Sequence, residues 1–287
     1  MADMELLSDE GMREFIRNGF ITFEADMPPG FHETVFERTE KAMETAGNPG
    51  NNILAVVPEL QQVLDHPRVA GTLAGILGAD YDLNAHRYCH RRPLDAEARS
   101  HLHKDGWSQR HHRARWCMAF YYPQDTTLEL GPTTVVPGSQ YYNREPDSEV
   151  GEEIPLCGAA GTVTILHYDL WHRRSEKTGR GQRFMFKFLF ARMGEPASRA
   201  WDAREPGWCE TDGRRDAMWK AMWEWSAGSR GNGSSGQEGD PGELAARLAD
   251  GNETTCFQAA YSLGAMGVPA VPELIACLSS EDEDLRR

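Results

Sequence analysis

The stretch His101-Leu-His103-Lys-Asp105 concentrates the residue types best suited to hold a metal in this chain. Side chains two apart on a β-strand share a face, so His103 and Asp105 can address one point. A second imidazole from far along the chain would complete the set, and His172 in Trp171-His172 is the candidate. Two imidazoles and one carboxylate make the facial triad that binds Fe(II) and leaves positions open. His101 lies on the same face, and a His-x-His pair joined by His172 would suit a zinc site instead. His-x-Asp alone is common, and a lone His beside an aromatic is more often structural than a ligand. The weight therefore rests on what surrounds these residues. His111 and His112 fall in an Arg-rich stretch and are read as solvated.

The elements that must position these groups divide by periodicity. Ser8 can cap a helix over 9–18, closed by Asn18-Gly19, with a strand at 20–23. A second helix is expected over 31–45, with Phe31, Val35, Phe36 and Met43 near helical spacing. Pro58 and Pro67 open two more helical stretches, the second ending at Gly78. From Tyr81 the character turns to β, with strands expected at 81–90, 100–105, 115–122, 133–136, 162–167 and 183–191. Short strands between turn-rich segments argue a sandwich or barrel. The expected fold is α+β, mainly β: an antiparallel barrel behind a helical N-terminal layer, over residues 1–225. The tryptophan-rich stretch 201–225 ends in an amphipathic helix with Trp219 and Trp223 on one face. It is read as a cover for the barrel's outer face, with an aromatic ligand box as the alternative.

Residues 226–242 form a Gly/Ser-rich linker. Gly231-x-Gly233-x-x-Gly236 inside it has no preceding strand and is not a dinucleotide fingerprint. In 243–287, Glu243-Leu-Ala-Ala-Arg-Leu248 realigns on Glu273-Leu-Ile-Ala-Cys-Leu278 at an offset of 30. This resembles a partial HEAT-like helical repeat, a candidate surface for a protein partner. Such solenoids need about three repeats, so either the chain is a piece of a longer protein or the repeat docks on the barrel. Acids outnumber bases 44 to 30, a net charge of −14, which disfavours nucleic acid and anionic membranes as partners. No apolar run reaches membrane-spanning length, and the start lacks a secretory signal. The six cysteines include no Cys-x-x-Cys, so free thiols and a cytoplasmic location are expected.

Four motifs follow one another: His103-Lys-Asp105-Gly-Trp107, Leu130-Gly-Pro-Thr-Thr-Val-Val-Pro-Gly-Ser139, Trp171-His172-Arg-Arg, and Gly181-Gln-Arg183-Phe. In this order they resemble the phytanoyl-CoA dioxygenase family of Fe(II)/2-oxoglutarate oxygenases, over residues 8–192. The resemblance implies a double-stranded β-helix, or jelly roll, with Fe(II) on His103, Asp105 and His172. It implies 2-oxoglutarate and O2 at the open positions. Arg183, eleven residues past His172, would take the far carboxylate of 2-oxoglutarate, and Arg180 is the alternative. Alternation puts Arg183, Met185, Lys187 and Leu189 on one strand face and four phenylalanines on the other, and Lys187 has no assigned role. In relatives a polar residue on the strand at 81–90 reaches cosubstrate or substrate, and His86 is the substrate-binding candidate. A net +5 between His86 and Trp116 points to an anionic small-molecule substrate or merely to an exposed loop. The implied reaction hydroxylates an unactivated C–H and releases succinate and CO2. Related halogenases lack the Asp ligand, so Asp105 favours hydroxylation, and Asp105→Ala is expected to abolish it. Two rivals remain at this level: a zinc-dependent hydrolase or isomerase on the same barrel, and an inactive barrel serving as a binding module.

Overall fold

A computed structural model describes residues 4–92, 100–106, 112–209, 213–229 and 239–286. The expectations on Trp107, His111 and Gly231-x-Gly233-x-x-Gly236 lie outside the described residues. Helix α1 (Asp9–Asn18) begins where Ser8 Oγ accepts the Gly11 N–H at 3.2 Å. It ends at Gly19, whose φ of 81° no β-carbon would favour and whose N–H returns to Phe15 O. Strand β1 (Phe20–Glu24) follows directly, then α2 (Phe31–Ala46), the short helices α3 (Ile53–Val56) and α4 (Glu59–Leu64), and α5 (Pro67–Leu77). The β region comprises β2 (Asp82–Arg92), β3 (Trp116–Tyr121), β4 (Thr133–Val135), β5 (Ile154–Pro155), β6 (Thr162–His167), β7 (His172–Arg174) and β8 (Arg183–Ala191).

These strands form two antiparallel sheets, of order β1-β6-β3-β8-β2 and β5-β4-β7. One apolar core draws Met118, Phe120, Leu166, Met185 and Leu189 from the larger sheet and Val135 from the smaller. The phenylalanines of β8 occupy its opposite face, and each is at most 2 % exposed. Phe36 of α2 meets Phe184 edge-on at 5.1 Å, so the helical layer shields that face. Each such burial contributes about 1.5–3 kcal/mol.

Two expectations change. Residues 100–106 form no strand among themselves; a single bridge joins His103 to His172. Their partner β7 is only three residues long, too short to support a longer ladder. The chain also divides into two compact units, one of residues up to 195 with 200–204, the other of 196–199 with 205–286. Helix α6 (Asp216–Ser226), expected as a cover for the barrel, belongs to the second unit. There the half-buried Trp208 packs on the buried Trp219 and Trp223 at ring separations of 5.9 and 6.0 Å. The second unit continues with α7 (Pro241–Arg247), α8 (Glu253–Met266), α9 (Val271–Leu278) and α10 (Glu283–Arg286). Helices α7 and α9, like α8 and α10, start 30 residues apart, the offset seen in the sequence. Among the described residues no helix is long and apolar enough to cross a membrane, and all six cysteines are free.

Candidate metal centre

His103 and His172 are a hydrogen-bonded cross-strand pair. The His103 N–H donates to His172 O at 3.0 Å, and the His172 N–H donates to His103 O at 2.9 Å. The Ser100 N–H donates to Arg174 O, and Ser100 Oγ accepts the Arg174 N–H. His172 is held from the other side by β4, where it pairs with Val135. The Pro132 to Ser139 motif explains itself here. The Val136 N–H donates to Trp171 O, Ser139 Oγ accepts the Trp171 N–H, and Trp171 Nε1 donates to Tyr142 O. That segment is a brace for Trp171-His172.

Both imidazoles are oriented by carbonyl groups. His103 Nδ1 lies 3.1 Å from His101 O, and His172 Nδ1 lies 2.8 Å from Leu170 O. A carbonyl only accepts, so each Nδ1 carries the proton and each Nε2 keeps its lone pair for a metal. His172 is 6 % exposed, and burial above all pushes its pKa down to about 4 despite the nearby Asp105. It is therefore neutral at neutral pH, as a ligand must be.

Asp105 completes the group. One ligand atom from each of His103, Asp105 and His172 lies within 4.8 Å of the others. Asp105 Oδ2 stands 3.5 Å from His172 Nε2 and accepts a hydrogen bond from Lys187 Nζ at 2.5 Å. Burial would raise the Asp105 pKa, but the pull of His172 and the charge and hydrogen bond of Lys187 hold it below the ordinary carboxylate range. Gly106, next in sequence, has no room for a side chain, because a β-carbon there would sit 1.8 Å from Asp169 Oδ1. Asp169 is 5 % exposed and adjoins Leu170, whose carbonyl aims His172. Gly106→Ala should therefore cost about 1–3 kcal/mol of stability and weaken metal binding without touching a ligand. Thermal melting and calorimetric Mn(II) titration measure both.

These residues open on a cavity of about 270 Å³. Arg183 lines it, is 2 % exposed, and has no hydrogen-bond partner for Nε and Nη1 among the described residues. Its guanidinium stacks on Tyr122, Cζ to ring centre 5.8 Å, and burial lowers its pKa from the usual arginine value. A buried, under-satisfied guanidinium facing a cavity fits a carboxylate from outside the chain. The donor set beside it, two imidazole nitrogens and a carboxylate, fits Fe(II). The chain's own residues thus fit both groups.

The other candidates fall elsewhere. His86 is exposed and absent from the cavity wall, and its backbone N–H donates to Asn84 Oδ1. A bulge between Leu83 and Arg87 breaks the alternation on which its assignment rested. His90, four residues on, lines the cavity instead. Although His90 is exposed by area, the protein around its ring, then Lys187 and Arg183, push its pKa down to about 4. His101 and Arg180 are exposed and do not line the cavity. Sequence reasoning missed Arg92 and Arg174, which do line it. Arg92 stands directly opposite Arg183 across the β2–β8 ladder, a pairing no spacing rule reveals before the register is known.

Solved structures with this fold include the non-heme alpha-ketoglutarate-dependent carbocyclase SnoK from nogalamycin biosynthesis. It is 17 % identical, covers 64 % of this chain and 84 % of its own, with a TM-score of 0.54. The epimerase SnoN from the same biosynthesis is 16 % identical, covering 62 % and 80 %, with a TM-score of 0.54. HygX from Streptomyces hygroscopicus, with nickel and 2-oxoglutarate bound, is 17 % identical, covering 72 % and 97 %, with a TM-score of 0.53. At such identities the likeness is one of fold. The phytanoyl-CoA dioxygenase (PhyH) profile, by contrast, matches the sequence itself over residues 28–185. That span takes in all three clustered side chains and Arg183 and exceeds half of the chain, which therefore belongs to the phytanoyl-CoA dioxygenase family.

Proposed function

We propose that this chain is an Fe(II)- and 2-oxoglutarate-dependent oxygenase that hydroxylates an unactivated C–H of a small molecule and releases succinate and CO2. The observation that carries the reading is one cavity holding both the His103–Asp105–His172 cluster and the under-satisfied Arg183. His103, Asp105 and His172 would hold the iron, and Arg183 would take the distal carboxylate of 2-oxoglutarate. Iron with O2 and 2-oxoglutarate supplies the oxidising power. The chain's own work is to aim two Nε2 lone pairs, keep Asp105 ionised, orient the cosubstrate and exclude water. Phe120, edge-on to the His172 ring at 6.1 Å, and Met185 give the cavity its apolar part.

Neighbours in fold are named a carbocyclase and an epimerase, so the fold accommodates other outcomes at the C–H. Retention of Asp105 supports hydroxylation here. Arg91, Arg92 and Arg174 in the cavity wall support a substrate with a negative group, and His90 replaces His86 as its contact. For the second unit the proposal is a HEAT-like repeat that receives a protein partner, supported by the 30-residue spacing of its helices. The test of the oxygenase reading is succinate formation from 2-oxoglutarate, with and without a substrate panel. It should require Fe(II) and O2 together; turnover with zinc under nitrogen defeats the proposal.

A further inference from the structure

Lys187 is the cation for which the metal cluster alone gives incomplete employment. It lies on β8 four residues past Arg183, on the same face, and both side chains line one cavity. Lys187 is 8 % exposed, so its ammonium is largely withdrawn from water. An ammonium has three donors. One goes to Asp105 Oδ2, its hydrogen-bond acceptor among the described residues. That oxygen is also the one 3.5 Å from His172 Nε2, so Lys187 Nζ stands beside the point where the ligand atoms converge. A dication at that point and an ammonium next to it repel each other unless an anion lies against both. Asp105 supplies one negative charge, which the metal and Lys187 must share.

We infer that Lys187 bridges Asp105 to the metal-side carboxylate of a 2-oxo acid, so that β8 presents one cation to each end of the cosubstrate. This rests on the oxygenase reading and deepens it. Arg183 takes the distal carboxylate, and Lys187 takes the carboxylate next to the keto group. Two cations on one strand face thereby match a ligand with two carboxylates. Lys187 acts by binding and positioning; no bond to it forms or breaks.

The test separates the two ends with two probes. Anaerobic Fe(II)-loaded protein is titrated with 2-oxoglutarate and with 2-oxovalerate, which lacks the distal carboxylate, following the visible charge-transfer band of the chelate. Lys187→Gln, which can still donate to Asp105 but has no charge, should weaken both acids roughly tenfold and displace the band. Lys187→Arg should restore both affinities to within about threefold. Arg183→Met should weaken 2-oxoglutarate and leave 2-oxovalerate unchanged. If Lys187→Gln fails to fold by circular dichroism, Lys187→Met fills the same space with an unbranched stem and is read the same way. A Lys187 variant that titrates like wild type with an unmoved band overturns the inference and leaves the oxygenase reading intact. A wild-type protein that gives no band with either acid overturns both.

Discussion

His172→Ala should give no Fe(II)–2-oxoglutarate charge-transfer band and lose at least ~10³-fold in succinate formation, about 4 kcal/mol of barrier. The loss is so large because, among the described residues, no other imidazole belongs to the cluster. His101 is exposed and does not line the cavity, and His90, which does, is not part of the ligand cluster. His172 is also the buried member of the cluster, tied to β4, to Leu170 O and to the backbone of His103. Removing its ring leaves a gap beside Phe120 as well as an empty coordination position. Fluorescence or calorimetric titration with Mn(II) should show the same collapse without any turnover, which separates loss of metal from loss of chemistry. A variant that still forms the wild-type chelate would remove the metal centre as drawn.

Arg183→Met should raise the KM for 2-oxoglutarate about 100-fold while leaving metal affinity within a factor of two or three. A charge-assisted bidentate pair in a poorly hydrated site is worth roughly 3 kcal/mol, which is that factor. A second readout has the opposite sign. Arg183 is buried with two under-satisfied nitrogens, a cost the ligand-free protein carries. Replacing it by a similarly long apolar side chain should leave the ligand-free melting temperature unchanged or higher. Wild type should then gain several degrees when 2-oxoglutarate is added and Arg183→Met should gain little. Loss of stability in the ligand-free variant, with 2-oxoglutarate affinity retained, would make Arg183 a structural residue.

The proximity of His103, Asp105 and His172 was legible from residue type and the order of the motifs; the strand period of two was not its cause, since residues 100–106 form no strand. The ends of β6 and β8, at 162–167 and 183–191, were legible because apolar runs stop there at polar turn residues. What escaped depends on register. The irregularity between Leu83 and Arg87 takes His86 out of the β2–β8 ladder, so His86 is exposed and off the cavity wall while His90, opposite Met185, joins it. Arg92 becomes a neighbour of Arg183 only through the β2–β8 ladder. Lys187 was visible as an inward cation, yet its acceptor, Asp105, lies 82 positions earlier in the chain.

Because His103 and His172 exchange backbone hydrogen bonds, the spacing of their rings is inherited from the peptide ladder and not from the side chains around them. Segments before Ser100 and after Gly106 can then change length or composition during evolution while the two nitrogens keep their separation. Oxidative power and choice of molecule become separable traits. New specificities can be sampled in this scaffold without rebuilding the part that handles oxygen.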